Sequence, residues 1–237
     1  MKSPDKFTEF CASFDQFGLA VLGALELQAL HCPVDRQDFT GKPALLIGNQ
    51  GPVMWEVLTA SEEFADNLAD PMNRWTKRIL DKLAVDASCD VFFPFDEPYW
   101  PFQRIAQSAM NVKPSPLGIL IHSEFGLWHA MRGVLIFEKS HEFASHISVL
   151  ASAADNLIHP CDSCEDKPCL TTCPVGAFTG EELKVQSCFG HLDSGTLPNC
   201  MDLGCRARNA CPVGNDHRYH TDQVRFHMKS YRGPVGR

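Results

Sequence analysis

Hydrophobic positions change period several times along the first 155 residues, and each change predicts an element. In PDKFTEFCASFDQF, Phe7, Phe10, Cys11, Phe14 and Phe17 fall at helical spacing and predict an opening helix with one apolar face. GLAVLGAL (18–25) is almost continuously apolar, and periodicity alone leaves it as a strand or a buried helix. PALLIGNQG (43–51) predicts a buried strand running into a glycine turn. Pro52 then suits the first position of a helix through VMWEVLTASEEFADNLA. NRWTKRILDKLA (73–84) predicts a second amphipathic helix and WPFQRIAQSA another, while DVFFPF, LGILIH and RGVLIF predict short strands. The mixture predicts an α+β fold. Near the end, Thr221 or Asp222 is placed to cap a last helix with Val224, Met228 and Tyr231 on its buried face.

A polar segment ending in proline, ASAADNLIHP, sets a boundary that divides the chain into residues 1–155 and 156–237. Composition adds little to this picture: 237 residues, 44% hydrophobic and 21% charged, describe an ordinary globular chain. Charge adds more. The net charge of −8 argues against nonspecific binding to nucleic acid or membrane surfaces, and all of the deficit lies before residue 161. The start of the chain lacks the apolar core of a signal peptide, and no run of eighteen apolar residues occurs. A cytoplasmic protein without membrane insertion is expected. In that reducing compartment, eleven cysteines are not expected to form a disulfide framework.

The cysteines are unevenly spread. Cys11, Cys32 and Cys89 are scattered and read as small buried hydrophobes, whereas the other eight lie between Cys161 and Cys211. In CDSCEDKPCLTTCPVGAF, the gaps between Cys161, Cys164, Cys169 and Cys173 are two, four and three residues, and proline follows the last. The bacterial ferredoxin run has gaps of two, two and three before Cys-Pro. Its first three thiolates wrap one iron–sulfur cube, and its fourth ligates the neighbouring cube. CPVG recurs at 211–214 and closes a second, looser series of Cys188, Cys200, Cys205 and Cys211. Crossing the two closing cysteines gives one set of Cys161, Cys164, Cys169 and Cys211, and another of Cys173, Cys188, Cys200 and Cys205. Eight thiolates then serve two 4Fe–4S clusters with none left over. The alternative is two tetrahedral zinc sites in a non-redox, zinc-stabilised interaction protein; it accepts the same ligands, although only one CxxC pair occurs. Arg206 and Arg208 flank Cys205, where they would either offset an anionic second cluster or form a solvated helix face.

The cysteine spacing with CPVGAF resembles the dicluster ferredoxin module of epoxyqueuosine reductases and corrinoid reductive dehalogenases. A second resemblance lies in HSEFGLWHAMRGVLIF (122–137), where His122, Phe125, Gly126, Trp128, Arg132, Gly133 and Val134 match a segment of the cobalamin-processing chaperone family. Together these imply a nitroreductase-like, cobalamin-chaperone-like α+β domain followed by a bacterial-type dicluster ferredoxin module. They imply an iron–sulfur protein that passes electrons through its clusters to a redox partner protein, or to a corrinoid or other small molecule in the first domain. A self-contained corrinoid-dependent oxidoreductase is the alternative. His122, Trp128 and Arg132 are the residues through which the resemblance would bind cobalamin. Epoxyqueuosine reductases continue past their clusters into a tRNA-holding helical repeat, and only 26 residues follow Cys211 here, so nucleic acid is not an expected partner.

Other motifs have two readings each. IGNQG (47–51) is either a phosphate cradle or a tight strand-to-helix turn. His122 and His129 are either functional, as proton donors or a corrinoid axial ligand, or structural histidines. FFPFDEPYWPFQ (92–103) is a lid or a packed loop, and the basic tail offers Arg218, Arg225, Lys229 and Arg232 to an acidic partner or to solvent.

Overall fold

The structure, a computed structural model, describes residues 5–152, 159–196 and 199–233. The chain divides into two compact units. One comprises the described residues up to Asn111 and those from His129 through the following helix. The other comprises Val112–Trp128 and the described residues from His159 onward. The boundary expected between residues 155 and 156 lies outside the described residues.

The first unit is built on one antiparallel sheet in the order β1-β2-β6-β3, formed by β1 (Ala20–Glu26), β2 (Pro43–Gln50), β6 (His129–Ile136) and β3 (Asp90–Phe92). The apolar segment after Gly18 is therefore a strand. Its neighbour β2 is buried over seven of its eight residues, as the uninterrupted PALLIG run requires of a central strand. Among the described residues, six α-helices accompany the sheet: α1 (Lys6–Ala12), α2 (Val53–Thr59), α3 (Glu62–Ala65), α4 (Pro71–Asp86), α5 (Phe102–Met110) and α6 (Ala144–Ser152). Helix α4 packs on β3 and β6, while α5 and α6 pack on β1 and β2. The absence of a side chain at Gly23 permits the approach of α5, because a Cβ there would run into the Ala109 backbone.

Two elements differ from the sequence expectation. The opening helix ends at Ala12, where the Ser13 hydroxyl donates to the Phe10 carbonyl at 2.6 Å. Phe14 beyond it still reaches the core, edge-on to Phe10 at 5.2 Å. The helix expected from Val53 to Ala69 breaks at Ser61, whose extended backbone and side-chain oxygen, accepting from the Phe64 N–H at 3.3 Å, start a new turn.

In the second unit, β4 (Lys113–Pro114) and β5 (Leu120–Ile121) form a short hairpin. Only two residues of LGILIH form the strand, because Gly118, at φ 74°, turns the chain just before them. Helices α7 (Pro168–Thr171), α8 (Val185–Asp193), α9 (Cys200–Leu203), α10 (Arg206–Asn209) and α11 (Thr221–Arg232) follow. The cap residue of α11 is His220, not Thr221 or Asp222, and its side chain makes no capping hydrogen bond. Val224 and Met228 do pack inward, on Trp128 and Tyr219, but Tyr231 is 44% exposed.

Candidate metal centre

Loops and short helices carry the eight cysteines: Cys169, Cys188 and Cys200 lie on helices, and the other five in turns and loops. Lys167 adopts a left-handed φ of 38° and turns the chain into α7, which holds Cys169. After Cys173-Pro174 the chain folds back, so that the Ala177 N–H donates to Cys173 Sγ at 3.3 Å. Cys188 sits on α8, and that helix occupies much of the long interval before Cys200. Asn199 starts α9 by accepting the Asp202 N–H at 3.0 Å, and Cys205 precedes α10. Backbone N–H groups of Ala207 and Arg208 point at Cys205, and that of Val213 at Cys211. Each Cys-Pro closure thus turns donors toward sulfur, as a metal-bound thiolate would need.

The thiols are gathered in two places. Cys161, Cys164, Cys169 and Cys211 line one narrow cavity of about 20 Å³, walled by Pro160, Pro168 and Pro212 and by Leu117, Ile121 and Leu127. Cys173, Cys188, Cys200 and Cys205 line a second of about 290 Å³, with Leu117 common to both walls. The electrostatic neighbours of the thiols divide the same way. Cys161 is influenced by Cys211, Cys169 and Cys164, whereas Cys205 is influenced by Cys200 and Cys188, and Cys188 by Cys173 and Cys200.

Burial pushes the Cys161 thiol up to about 11, and its three neighbours push the same way; burial likewise pushes Cys205 up to about 11. Cys169, Cys188 and Cys211 are raised for the same first reason. Four crowded thiols become thiolates readily only around a cationic centre, which deprotonates its ligands outright. Among the described residues, no three His, Cys, Asp or Glu side chains are grouped so as to hold one metal ion. A four-iron cube asks for a different arrangement, in which each thiolate binds its own iron. The donor set of four soft thiols around each of two cavities suits that group.

The remaining candidates are distributed over both units. His122 and Trp128 lie in the second unit, and Arg132 and His129 lie in the first, so the 122–137 motif is divided between them. His122 Nδ1 accepts the backbone N–H groups of Glu124 and Phe125 at 3.1 and 3.3 Å, and its ring stacks on Phe125 at 4.3 Å. Burial lowers its pKa. Trp128 is 1% exposed, beneath the Arg208 guanidinium at 4.4 Å, and Arg208 also donates to the Leu127 carbonyl at 2.5 Å. Gly126 has φ 58°, and a Cβ there would strike the Val213 carbonyl two residues after Cys211. Arg132 Nε donates to Asn49 Oδ1 at 2.9 Å, and Asn49 Nδ2 donates to the Gly51 carbonyl at 3.4 Å. IGNQG is thereby a strand-to-helix turn braced by its own asparagine. The aromatic run packs except at Tyr99, which is exposed: Phe92 stacks on Trp100 at 4.5 Å, and Phe39 meets both rings edge-on.

Sequence reasoning missed the polar lining of the second cavity, namely His191, His227 and Tyr231. The spacing of Val224, Met228 and Tyr231 does identify one helix face. Nothing in that spacing says that its last residue meets a cysteine.

No family model and no curated protein matches the chain. Among solved structures, an epoxyqueuosine reductase bound to an epoxyqueuosine-modified tRNA-Tyr stem loop is similar, with 15% identity and a TM-score of 0.46. The match covers 91% of this chain and 67% of that one. No helix among the described residues is long and apolar enough to cross a membrane.

Proposed function

We propose that this protein is an iron–sulfur redox protein holding two 4Fe–4S clusters. Cys161, Cys164, Cys169 and Cys211 would bind the first, and Cys173, Cys188, Cys200 and Cys205 the second. The observation that carries the reading is the sorting of eight cysteines into two cavities, four to each, with the two Cys-Pro cysteines exchanged between the series. When bound, such clusters supply one-electron transfer at a potential set by burial, charge and hydrogen bonds to sulfur. The chain contributes the thiolates, the apolar walls that limit water, and the N–H groups directed at Cys173, Cys205 and Cys211.

Metal and acid-labile sulfide analysis of anaerobically purified protein tests this directly. The expected result is about eight iron and about eight sulfide per chain, with a brown chromophore that bleaches on reduction. Colourless protein, or zinc in place of iron, overturns the proposal. The acceptor is a finer question. A corrinoid held by the chain would give a slowly dissociating complex and a changed visible spectrum on addition of cobalamin to corrinoid-free protein; an electron carrier would give neither.

A further inference from the structure

We propose that Tyr231, with Arg206 and Arg208, makes the second cysteine ring the higher-potential half of the pair, the Tyr231 phenol being the positioning group that sets it. This inference rests on the two-cluster reading and deepens it.

The two cavities differ in what they offer a group that gains negative charge. Around the first, the wall is proline, leucine and isoleucine, and its one cation, Lys167, is exposed in a loop that also carries the exposed acids Asp162, Glu165 and Asp166. Exposed Arg218 also acts on Cys211, but these two cations face three acids, and low polarity in net negative surroundings disfavours the reduced, more negative state and lowers the potential. Around the second, Arg206 and Arg208 both line the cavity, and neither has a carboxylate at ion-pair distance among the described residues. Arg208 is held in place by the Leu127 carbonyl and by the ring of Trp128. The second cavity also has the larger volume, about 290 Å³ against about 20 Å³.

Tyr231 adds the specific contact. Its hydroxyl donates to the Cys188 sulfur, and both residues line the second cavity. Donation to a ligand sulfur favours the reduced state, which raises the potential. The phenol is positioned from both sides. Its ring meets Phe189 edge-on at 5.4 Å, while the adjacent Arg232 pairs with Asp193 at 2.6 Å and lies over Phe189 at 4.8 Å, fastening α11 to α8.

The test is an anaerobic redox titration of the full, cluster-loaded chain followed by electron paramagnetic resonance. Wild type is expected to show two separate one-electron waves, with Cys188→Ser removing the upper one. Tyr231→Phe keeps the ring on Phe189 and removes only the donor, so the upper wave should shift to lower potential while the lower wave and the iron content stay unchanged. Arg206→Gln, a substitution of an exposed side chain, should shift the same wave in the same direction. Coincident waves in wild type, loss of the lower wave in Cys188→Ser, or an upper wave that either Tyr231→Phe or Arg206→Gln leaves unmoved would overturn the inference while leaving the two-cluster reading intact. Absence of iron from wild type would instead remove the reading beneath it.

Discussion

Cys211 lies beside Cys161, although the two stand at opposite ends of the C-terminal cysteine series. The closing cysteine of the second CPVG has crossed to the first ring, just as Cys173 lies with Cys188 and Cys200. Each ring therefore needs the other half of the unit to be folded before it is complete.

The first prediction follows from that exchange. Cys211→Ser should lose the first cluster and Cys173→Ser the second, each leaving about half of the iron. Iron content and the loss of magnetic coupling between the clusters measure this. If Cys211→Ser instead disturbed the cluster of Cys200 and Cys205, the crossing would be wrong.

Gly126 supplies a second prediction. Alanine there must adopt a left-handed φ and push its Cβ into the Val213 carbonyl. The substitution should cost about 1–3 kcal/mol and weaken retention of the first cluster, because Val213 follows Cys211-Pro212. Thermal bleaching of the visible chromophore, compared with far-ultraviolet melting, reports both effects.

Arg208→Lys should lower the melting temperature of the loaded protein. Lysine keeps the charge but not the planar stack on Trp128 or the geometry of the bond to the Leu127 carbonyl, a loss of about 1–2 kcal/mol. A melting temperature equal to wild type would show that the clasp contributes nothing.

The first unit should lose stability in mild acid through His31. Its Nδ1 accepts the Gln28 N–H at 3.0 Å, its Nε2 lies 2.9 Å from the Ser108 hydroxyl, and burial lowers its pKa from 6.5. Because the folded pKa lies below the unfolded one, the unfolded chain holds more protons between the two. Stability is therefore complete above about pH 6.5 and declines as pH falls toward the folded value. Denaturant unfolding at pH 7.5 and 5.5 should show a smaller pH-dependent loss in His31→Gln than in wild type.

Much of this was legible in the chain itself. The apolar run through PALLIG required a fully buried strand, because no polar face is available to meet water, and the spacing of eight cysteines with two Cys-Pro closures proposed the two ligand sets. Local sequence also decided the break at Ser61, whose side chain competes for a backbone donor; the helical spacing around it concealed that break.

What the tertiary structure alone decided is which distant groups become neighbours. It resolved the apolar segment after Gly18 as a strand, since pairing with β2 satisfies its backbone. It grouped Val112–Trp128 with the cysteine-rich residues and brought Tyr231 to Cys188. The physical reason is common to all three. Periodicity and spacing record what a residue requires of its surroundings, whereas the partner that meets the requirement is chosen by packing between segments far apart in the chain.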